Sequence, residues 1–167
     1  INIGENILKV RTKDGENNLR NLAYIKDVNL KRKLPKGIII EIIERKEVFQ
    51  IKNLSYVALI DEEGYILDIL DSENENLPLI SGFNIENKRI GENLIASEDT
   101  KLNFEFIEEG HALGLLSKMK DVDMTDNDNI NIELNDGIMV AFGTINNVKY
   151  KLNLLNEILK DIDKKGL

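Results

Sequence analysis

The sequence has no cysteine, a single histidine and a surplus of acidic over basic side chains among its 167 residues. Without cysteine, the protein cannot use disulfide bonds, thiol catalysis or cysteine metal ligands. The 22 Lys and Arg residues stand against 30 Asp and Glu residues, which gives a net charge of −8. This charge argues against nucleic acid or an anionic membrane surface as a partner. No apolar run approaches the length of about 18 residues that a membrane-spanning helix needs.

Catalytic and cofactor motifs are missing as well. The single histidine, His111, has no G-x-S-x-G serine to act on, as a nucleophile triad would require. It follows Gly110 at a predicted helix end, where an imidazole commonly satisfies terminal carbonyl groups. No G-x-G-x-x-G segment and no P-loop occur, so nucleotide binding has no support. We therefore expect no catalytic residues, no cofactor and no small-molecule substrate.

Two acid-rich segments suggest a cation site but do not complete one. In "DSENENLPLISG" (71–82) the acids fit the first three ligand positions of a calcium loop. Positions 6 and 12 of that loop require glycine and glutamate, and here they are Asn76 and Gly82. In "DVDMTDNDN" (121–129) no register satisfies these two positions either. We predict no dedicated metal site, and weak binding of cations by these loops stays open.

The first 50 residues predict one helix and two long strands. Residues 12–23 have the spacing of a short amphipathic helix. The segments "YIKDVNLKRKL" (24–34) and "GIIIEIIERKEVFQI" (37–51) are rich in strand-forming residues, and the tight turn "LPKG" lies between them. Because isoleucines fall on both faces of the second strand, we expect that strand to be buried on both sides.

The next segment, "YVALIDEEGYILDI" (56–69), places three acids and a glycine between two apolar runs. A type I turn that ends with a glycine of positive φ commonly closes a hairpin of this length, and Gly64 is that glycine. Asp61, Glu62 and Glu63 could form a metal site, an acid/base pair or a solvated hairpin tip. We favour the solvated tip, with Asp61 accepting a hydrogen bond from a backbone N–H of the turn.

The remaining chain mixes helices and strands without strict alternation, which favours an α+β fold with mainly antiparallel sheets. The Asn-Asp-Gly turn at 135–137 is the strongest hairpin signal. In the last helix, apolar residues recur every three or four positions. The predicted elements are a strand over 77–83, a helix from an N-cap at Ser97 to about Glu109, a strand over 117–124, hairpin strands at 130–134 and 138–143, and an amphipathic helix over 147–163.

Several segments, in order, resemble the extracytoplasmic part of the FtsQ/DivIB cell-division proteins, in which a POTRA domain precedes a β domain. "GENILKV" (4–10) is similar to the segment ahead of the second POTRA helix. "VNLKRKLPKGIIIEIIERKE" (28–47) is similar to the strand–turn–strand signature of that domain. "ALIDEEGYIL" (58–67) and "LPLISG" (77–82) resemble the opening of the β domain, and "LNDGIMVAFG" (134–143) resembles its late hairpin.

The resemblance implies a fold and a domain plan. We expect a partial POTRA domain over residues 1–50, made of a helix and a β-hairpin. A mainly antiparallel β domain with a C-terminal amphipathic helix follows over 51–167, without the family's final strand. The chain starts at Ile1 rather than Met, so we expect a soluble piece of a longer protein. That protein would be a single-pass membrane protein, with this piece on the extracytoplasmic face at the division septum.

The resemblance also implies a function, that of a non-enzymatic interaction domain in a septation scaffold. The partners would be divisome proteins resembling FtsB/DivIC and FtsL, held by strand addition and helix contacts. Asp128, Ile130 and Ile132 on the late hairpin, with Tyr150 and Leu154 on the last helix, are the candidate partner-binding residues. The alternative role for these five residues is local core packing or harmless exposure.

Two rival functions remain. A POTRA-type module of a secretion or assembly system would also use edge pairing. A small hydrolase of wall polymers would need a buried carboxylate pair in a cleft, for which Asp61, Glu62 and Glu63 are the candidates.

Overall fold

A computed structural model of the protein describes residues 11–35, 37–53, 55–95 and 98–165. The chain forms two compact units, Ile1–Lys46 and Glu47–Leu167. The predicted N-cap at Ser97 and the segment at 4–10 lie outside the described residues. No helix in the described ranges is long and apolar enough to cross a membrane.

In its described residues, the first unit pairs a two-stranded antiparallel sheet with one helix. Its elements are α1 (Thr12–Arg20), β1 (Ile25–Lys33) and β2 (Gly37–Glu44). The helix lies against β1, where Val28 and Leu30 are buried. Glu16 of the helix accepts a hydrogen bond from the backbone N–H of Leu30 at 2.8 Å. A Cβ atom on Gly15 would lie 3.0 Å from the Leu30 side chain, so the helix and strand approach closely.

The long second strand predicted over 37–51 is two strands. β2 ends at Glu44, and β3 begins at Glu47 in the second unit. The expected burial of β2 on both faces is also wrong, since Ile39, Ile40, Ile42 and Ile43 are between 42 % and 58 % exposed. Among the described residues β2 pairs only with β1, and it is β1 that contacts the helix.

The second unit is a seven-stranded sheet in the order β5-β4-β3-β6-β7-β8-β9. The β3–β6 and β6–β7 pairs are parallel, and all the other neighbouring pairs are antiparallel. The predicted α+β class with a mainly antiparallel sheet is therefore confirmed. Its elements are β3 (Glu47–Lys52), β4 (Val57–Asp61), β5 (Ile66–Leu70), β6 (Leu79–Ser81), α2 (Glu98–Ala112), a 3-10 helix (Leu116–Lys118), β7 (Met119–Asp123), β8 (Ile130–Leu134), β9 (Met139–Gly143) and α3 (Val148–Lys165).

β6 is only three residues long, yet it joins two antiparallel halves of the sheet. The segment that leads into it is held by Gln50 of β3, whose side chain is 2 % exposed. Gln50 Nε2 donates to the carbonyl oxygens of Asn74 and Leu77 at 2.8 Å each, and Gln50 Oε1 accepts from Asn74 N–H. These three bonds satisfy a buried amide and fix the loop before β6.

One hydrophobic core joins this sheet to both helices. On α3, the buried residues Val148, Leu152, Leu155 and Leu159 confirm the amphipathic pattern read from the sequence. The rings of Phe106 on α2 and Phe142 on β9 meet edge to face, with centroids 5.3 Å apart. The end of the sheet that carries β9 is thus packed against the helices.

Two predicted boundaries need comment. α2 does not end at about Glu109 but continues through Gly110 to Ala112. Gly110 is buried against Leu116, and a Cβ atom there would lie 3.2 Å from that side chain. Glycine at this position therefore serves close packing rather than helix termination. The predicted Asn-Asp-Gly hairpin is confirmed, with Gly137 at a φ of +86°.

The hairpin glycines offer a matched test of packing. Gly64 has a φ of +83°, and a Cβ atom there would lie 2.8 Å from Phe104 Cζ and 2.9 Å from Ile95 Cγ1. Gly137 has a similar φ but nothing within 4 Å of the same position. We expect Gly64→Ala and Gly137→Ala to share a backbone cost of roughly 1–2 kcal/mol. Gly64→Ala should lose about 1–3 kcal/mol more, because the added methyl group overpacks the core.

Urea unfolding followed by far-ultraviolet circular dichroism measures the difference. Equal losses for the two variants would show that the turn does not pack tightly on α2.

Candidate partner-binding surface

The three acids of the 56–69 segment do not share one environment. Asp61 is 2 % exposed, and its Oδ1 accepts hydrogen bonds from the N–H groups of Glu63 (3.0 Å) and Tyr65 (2.8 Å). The predicted turn cap is confirmed, but the expectation that Asp61 is solvated is wrong. Its carboxylate can be buried because backbone donors of the turn satisfy it.

His111 lies at the end of α2 beside this hairpin. Its Nε2 atom is 3.6 Å from Glu62 Oε2, and both side chains are 47 % exposed. The imidazole therefore faces a carboxylate, which differs from the predicted contact with helix-terminal carbonyls. A pair this exposed contributes little to stability. It offers no support for an acid/base site.

The segment at 91–95 is hydrogen-bonded to the turn of this hairpin. Leu94 N–H donates to the Gly64 carbonyl at 2.9 Å, and Asn93 Nδ2 donates to the Glu63 carbonyl at 2.8 Å. The polar atoms of the turn are thus engaged in holding the fold. Of the three acids only Asp61 is buried, so they do not form the buried carboxylate pair that the hydrolase hypothesis requires.

The acid-rich loop at 121–129 uses its carboxylates in local turns. Asp123 Oδ1 accepts from the hydroxyl (2.6 Å) and the N–H (3.0 Å) of Thr125, and these bonds lower the pKa of Asp123. Asp126 Oδ1 accepts from Asp128 N–H at 2.9 Å. Within the described part of the chain, no group of three or more His, Asp or Glu side chains is placed to hold a metal ion.

The five residues predicted to bind a partner fall into two sets. Ile130 and Ile132 are 0 % exposed in β8, which lies between β7 and β9. A partner cannot touch their side chains without opening the core, so we remove them from the candidate surface. Asp128, Tyr150 and Leu154 are exposed, with Tyr150 at 70 % and Leu154 at 49 %.

Ile158, which sequence reasoning missed, continues the exposed side of α3 and is 48 % exposed. Together with Tyr150 and Leu154 it forms a line at four-residue spacing, which we call the outer stripe. Residues four apart on a helix are surface neighbours. The same spacing could have identified Ile158 from the sequence.

Two residues of the outer stripe, Leu154 and Ile158, lie on the β9 side of α3. Lys151 Nζ donates to the carbonyl of Thr144, just after β9, at 2.7 Å. Lys149 Nζ instead lies 3.9 Å from Glu109 Oε2 on α2. At about 100° per residue, Leu154 is about 60° around the helix from Lys151 and about 140° from Lys149.

β9 ends the sheet, and among the described residues no strand pairs with its outer edge. Leu134 N–H donates to the Ile138 carbonyl, so hydrogen-bonded pairing with β8 continues at Val140. Because the pattern alternates in antiparallel sheets, the backbone N–H and C=O groups of Met139 and Ala141 point outward. Met139 is also 66 % exposed. The second unit therefore carries an open strand edge and an exposed apolar helix stripe, and Leu154 and Ile158 of that stripe lie toward the same side.

Comparison with known proteins assigns the chain to a family. A family model described as "Cell division protein FtsQ/DivIB, C-terminal" matches residues 50–166. A second model, "POTRA domain, FtsQ-type", matches residues 1–45. The chain belongs to the FtsQ/DivIB family of cell-division proteins. The resemblance read from the sequence is confirmed, while the predicted domain limits of 1–50 and 51–167 stay a prediction.

Individual FtsQ/DivIB relatives agree with this assignment. The chain is 28 % identical to the cell division protein DivIB of Clostridium tetani, over 96 % of this chain and 56 % of the relative. It is 31 % identical to DivIB of Clostridium acetobutylicum, over 98 % of this chain and 67 % of the relative. The chain thus spans somewhat over half to two thirds of these two proteins.

A solved structure, the major extracytoplasmic domain of DivIB from Geobacillus stearothermophilus, is 16 % identical. The structural match covers 73 % of this chain and 97 % of the DivIB domain, with a TM-score of 0.44.

The shifted pKa values of two neighbouring aspartates, Asp121 and Asp123, predict opposite effects of pH on folding stability. Burial, together with the charges of Asp123, Glu133 and Glu73, raises the pKa of Asp121, so its ionised form is unfavourable in the folded state. This destabilisation is complete above the raised pKa and absent below the unfolded pKa. Because Asp121 is partly exposed and solvent screens its charge, we expect Asp121→Asn to stabilise the protein at pH 7 by at most about 0.5 kcal/mol and to have little effect near pH 3.

Asp123→Asn is the counterpart. The lowered pKa of Asp123 means that its stabilisation is present above the unfolded pKa and disappears as the pH falls through the lowered value. The variant should therefore destabilise at pH 7 and lose that effect in acid. Urea unfolding at a series of pH values tests both variants, and the same sign for the two at pH 7 would contradict the assignment.

Proposed function

We propose that the chain is a non-enzymatic, extracytoplasmic interaction domain of a cell-division scaffold, and that a partner adds a strand to the outer edge of β9. The observation that carries this proposal is the open edge of β9 beside the outer stripe of α3. Unpaired strand edges offer backbone hydrogen bonds to an extended segment of another chain. The neighbouring helix stripe adds apolar area to that backbone pairing.

The geometry defines the kind of segment that fits. Val140 and Phe142 point to the core face of β9, where α3 packs. In an added strand, every second side chain would point to the same face and meet the outer stripe. The alternate side chains would lie beside Met139 on the opposite face. The partner segment is therefore an extended stretch of about five residues, the typical strand length, with apolar residues at alternate positions.

The partners named by the sequence resemblance fit this role. Proteins resembling FtsB/DivIC and FtsL would supply the strand. Asp128, near the start of β8, remains a candidate polar contact at the edge of this interface. The relatives' names support a place in cell division. In this proposal the parent protein is a single-pass membrane protein at the septum, with this chain on the extracytoplasmic side.

The absence of enzymatic activity is part of the proposal. The matching family model is described by its role in cell division and its description names no reaction. The carboxylate of Asp61, the one buried acid of the hairpin, accepts bonds from the backbone of its own turn.

Charge on the outer stripe should weaken partner binding. We expect Tyr150→Glu and Leu154→Glu each to weaken binding of a DivIC-like partner at least about tenfold, because a buried carboxylate would replace apolar contact. Lys160→Gln is the matched control, since it changes the charge of the same helix by the same amount away from the stripe. Isothermal titration with the full-length protein measures all three affinities. Unchanged affinity in both stripe variants would exclude this surface.

The strand edge can be tested separately from the helix. Ala141→Pro removes an outward N–H group while leaving the bonds to β8 intact, and proline is tolerated on edge strands. We expect this variant to weaken partner binding about fivefold to tenfold, since one backbone hydrogen bond contributes about 1 kcal/mol. Ala141→Thr keeps the N–H group and serves as the control. Wild-type affinity in Ala141→Pro would contradict strand addition at β9.

A further inference from the structure

The two units carry opposite charge, which the net value of the whole chain hides. Residues 1–46 contain eleven Lys and Arg and six Asp and Glu, for a net charge of +5. Residues 47–167 contain eleven Lys and Arg and 24 Asp and Glu, for a net charge of −13. Charged surfaces act over about 10 Å at physiological salt, so a partner meets each unit's charge rather than the average.

The basic charge of the first unit concentrates at the end of the β1–β2 hairpin. Lys31, Arg32 and Lys33 end β1, and all three are exposed. Leu34 follows them in the turn and is 67 % exposed. Ile39 is 42 % exposed and pairs with Lys31, so the two share one face of the sheet. We call these five residues the basic tip.

We propose that the basic tip binds the surface of a bilayer that contains anionic phospholipids. The Lys and Arg side chains would lie at the headgroup phosphates, and Leu34 would enter the boundary between headgroups and acyl chains. A basic cluster with an exposed apolar residue combines the two contributions by which peripheral proteins hold a membrane surface. Neither contribution alone gives stable binding.

The exposed Leu34 is the reason to propose a lipid surface as the ligand rather than a soluble polyanion. A soluble polyphosphate or a nucleic acid backbone would pair with the basic side chains but would leave Leu34 in water. Only an occupant with an apolar layer behind its negative charges uses both features. Lys31 is already bonded to Glu41 at 2.7 Å, so Lys33 at the end of the strand is the sharper residue to test.

The inference does not depend on the β9 surface, since the basic tip lies in the other unit. Loss of lipid binding with normal partner binding, or the reverse, would separate the two proposals.

Co-sedimentation of the whole protein with vesicles tests the proposal. We expect binding to phosphatidylcholine vesicles with about 30 % phosphatidylglycerol, little binding to pure phosphatidylcholine, and loss of binding as salt is raised. Lys33→Glu should weaken binding at least about fivefold, since each basic residue near an anionic surface contributes about that factor. Lys165→Glu, an exposed change in the last turn of α3, is its control.

Leu34→Ser distinguishes a membrane from a soluble polyanion. It should weaken vesicle binding about fivefold or more while leaving any binding of inorganic polyphosphate unchanged. Ile90→Ser, at a residue 51 % exposed in the second unit, is its control. Circular dichroism checks that each variant is folded.

Three results would overturn the proposal. The first is wild-type protein that ignores phosphatidylglycerol vesicles. The second is Leu34→Ser that binds them as wild type does while Lys33→Glu does not, which would indicate a polyanion site. The third is loss of binding in the control variants as well.

Discussion

The pairing of β6 with β3 and β7 is the interaction on which the rest of the second unit depends. β6 has three residues, yet among the described residues it is the only strand that pairs with both the β5-β4-β3 and the β7-β8-β9 halves. Gln50 holds the loop before it, and Gly82 closes its end with a φ of +101°. A Cβ atom on Gly82 would lie 2.3 Å from the Met124 carbonyl oxygen, so the end of β6 has no room for another residue type.

Once the two halves are joined, the order of the strands leaves β9 at the end of the sheet. α3 follows β9 directly in the chain and packs its apolar face on the core, which leaves the outer stripe beside the open edge. Among the described residues, no neighbouring strand satisfies the outward backbone groups of β9. The candidate surface is thus a consequence of chain order and helix periodicity together. No unusual side-chain chemistry is involved.

Much of this could be predicted from local sequence patterns. The Asn-Asp-Gly turn, the periodic leucines of α3 and the cap at Asp61 each depend on neighbours in the chain, and each was found where expected. The predictions that failed depend on distant contacts. Whether the isoleucines of β2 are buried depends on another element that covers them, which the strand's own sequence does not specify. The helix α2 runs through Gly110, which packs against Leu116 from a later segment.

The candidate surface divides in the same way. The sequence by itself determined the family, the order of elements apart from the break between β2 and β3, and the exposed spacing of Tyr150 and Leu154, because these follow from local composition and period. Only the tertiary structure decided that Ile130 and Ile132 are buried and that the stripe adjoins β9, because strand order is set by pairing between segments far apart in the chain. The charged residues could be counted from the sequence, but only the fold showed where one compact unit ends and the next begins, and so that the two units carry opposite net charge.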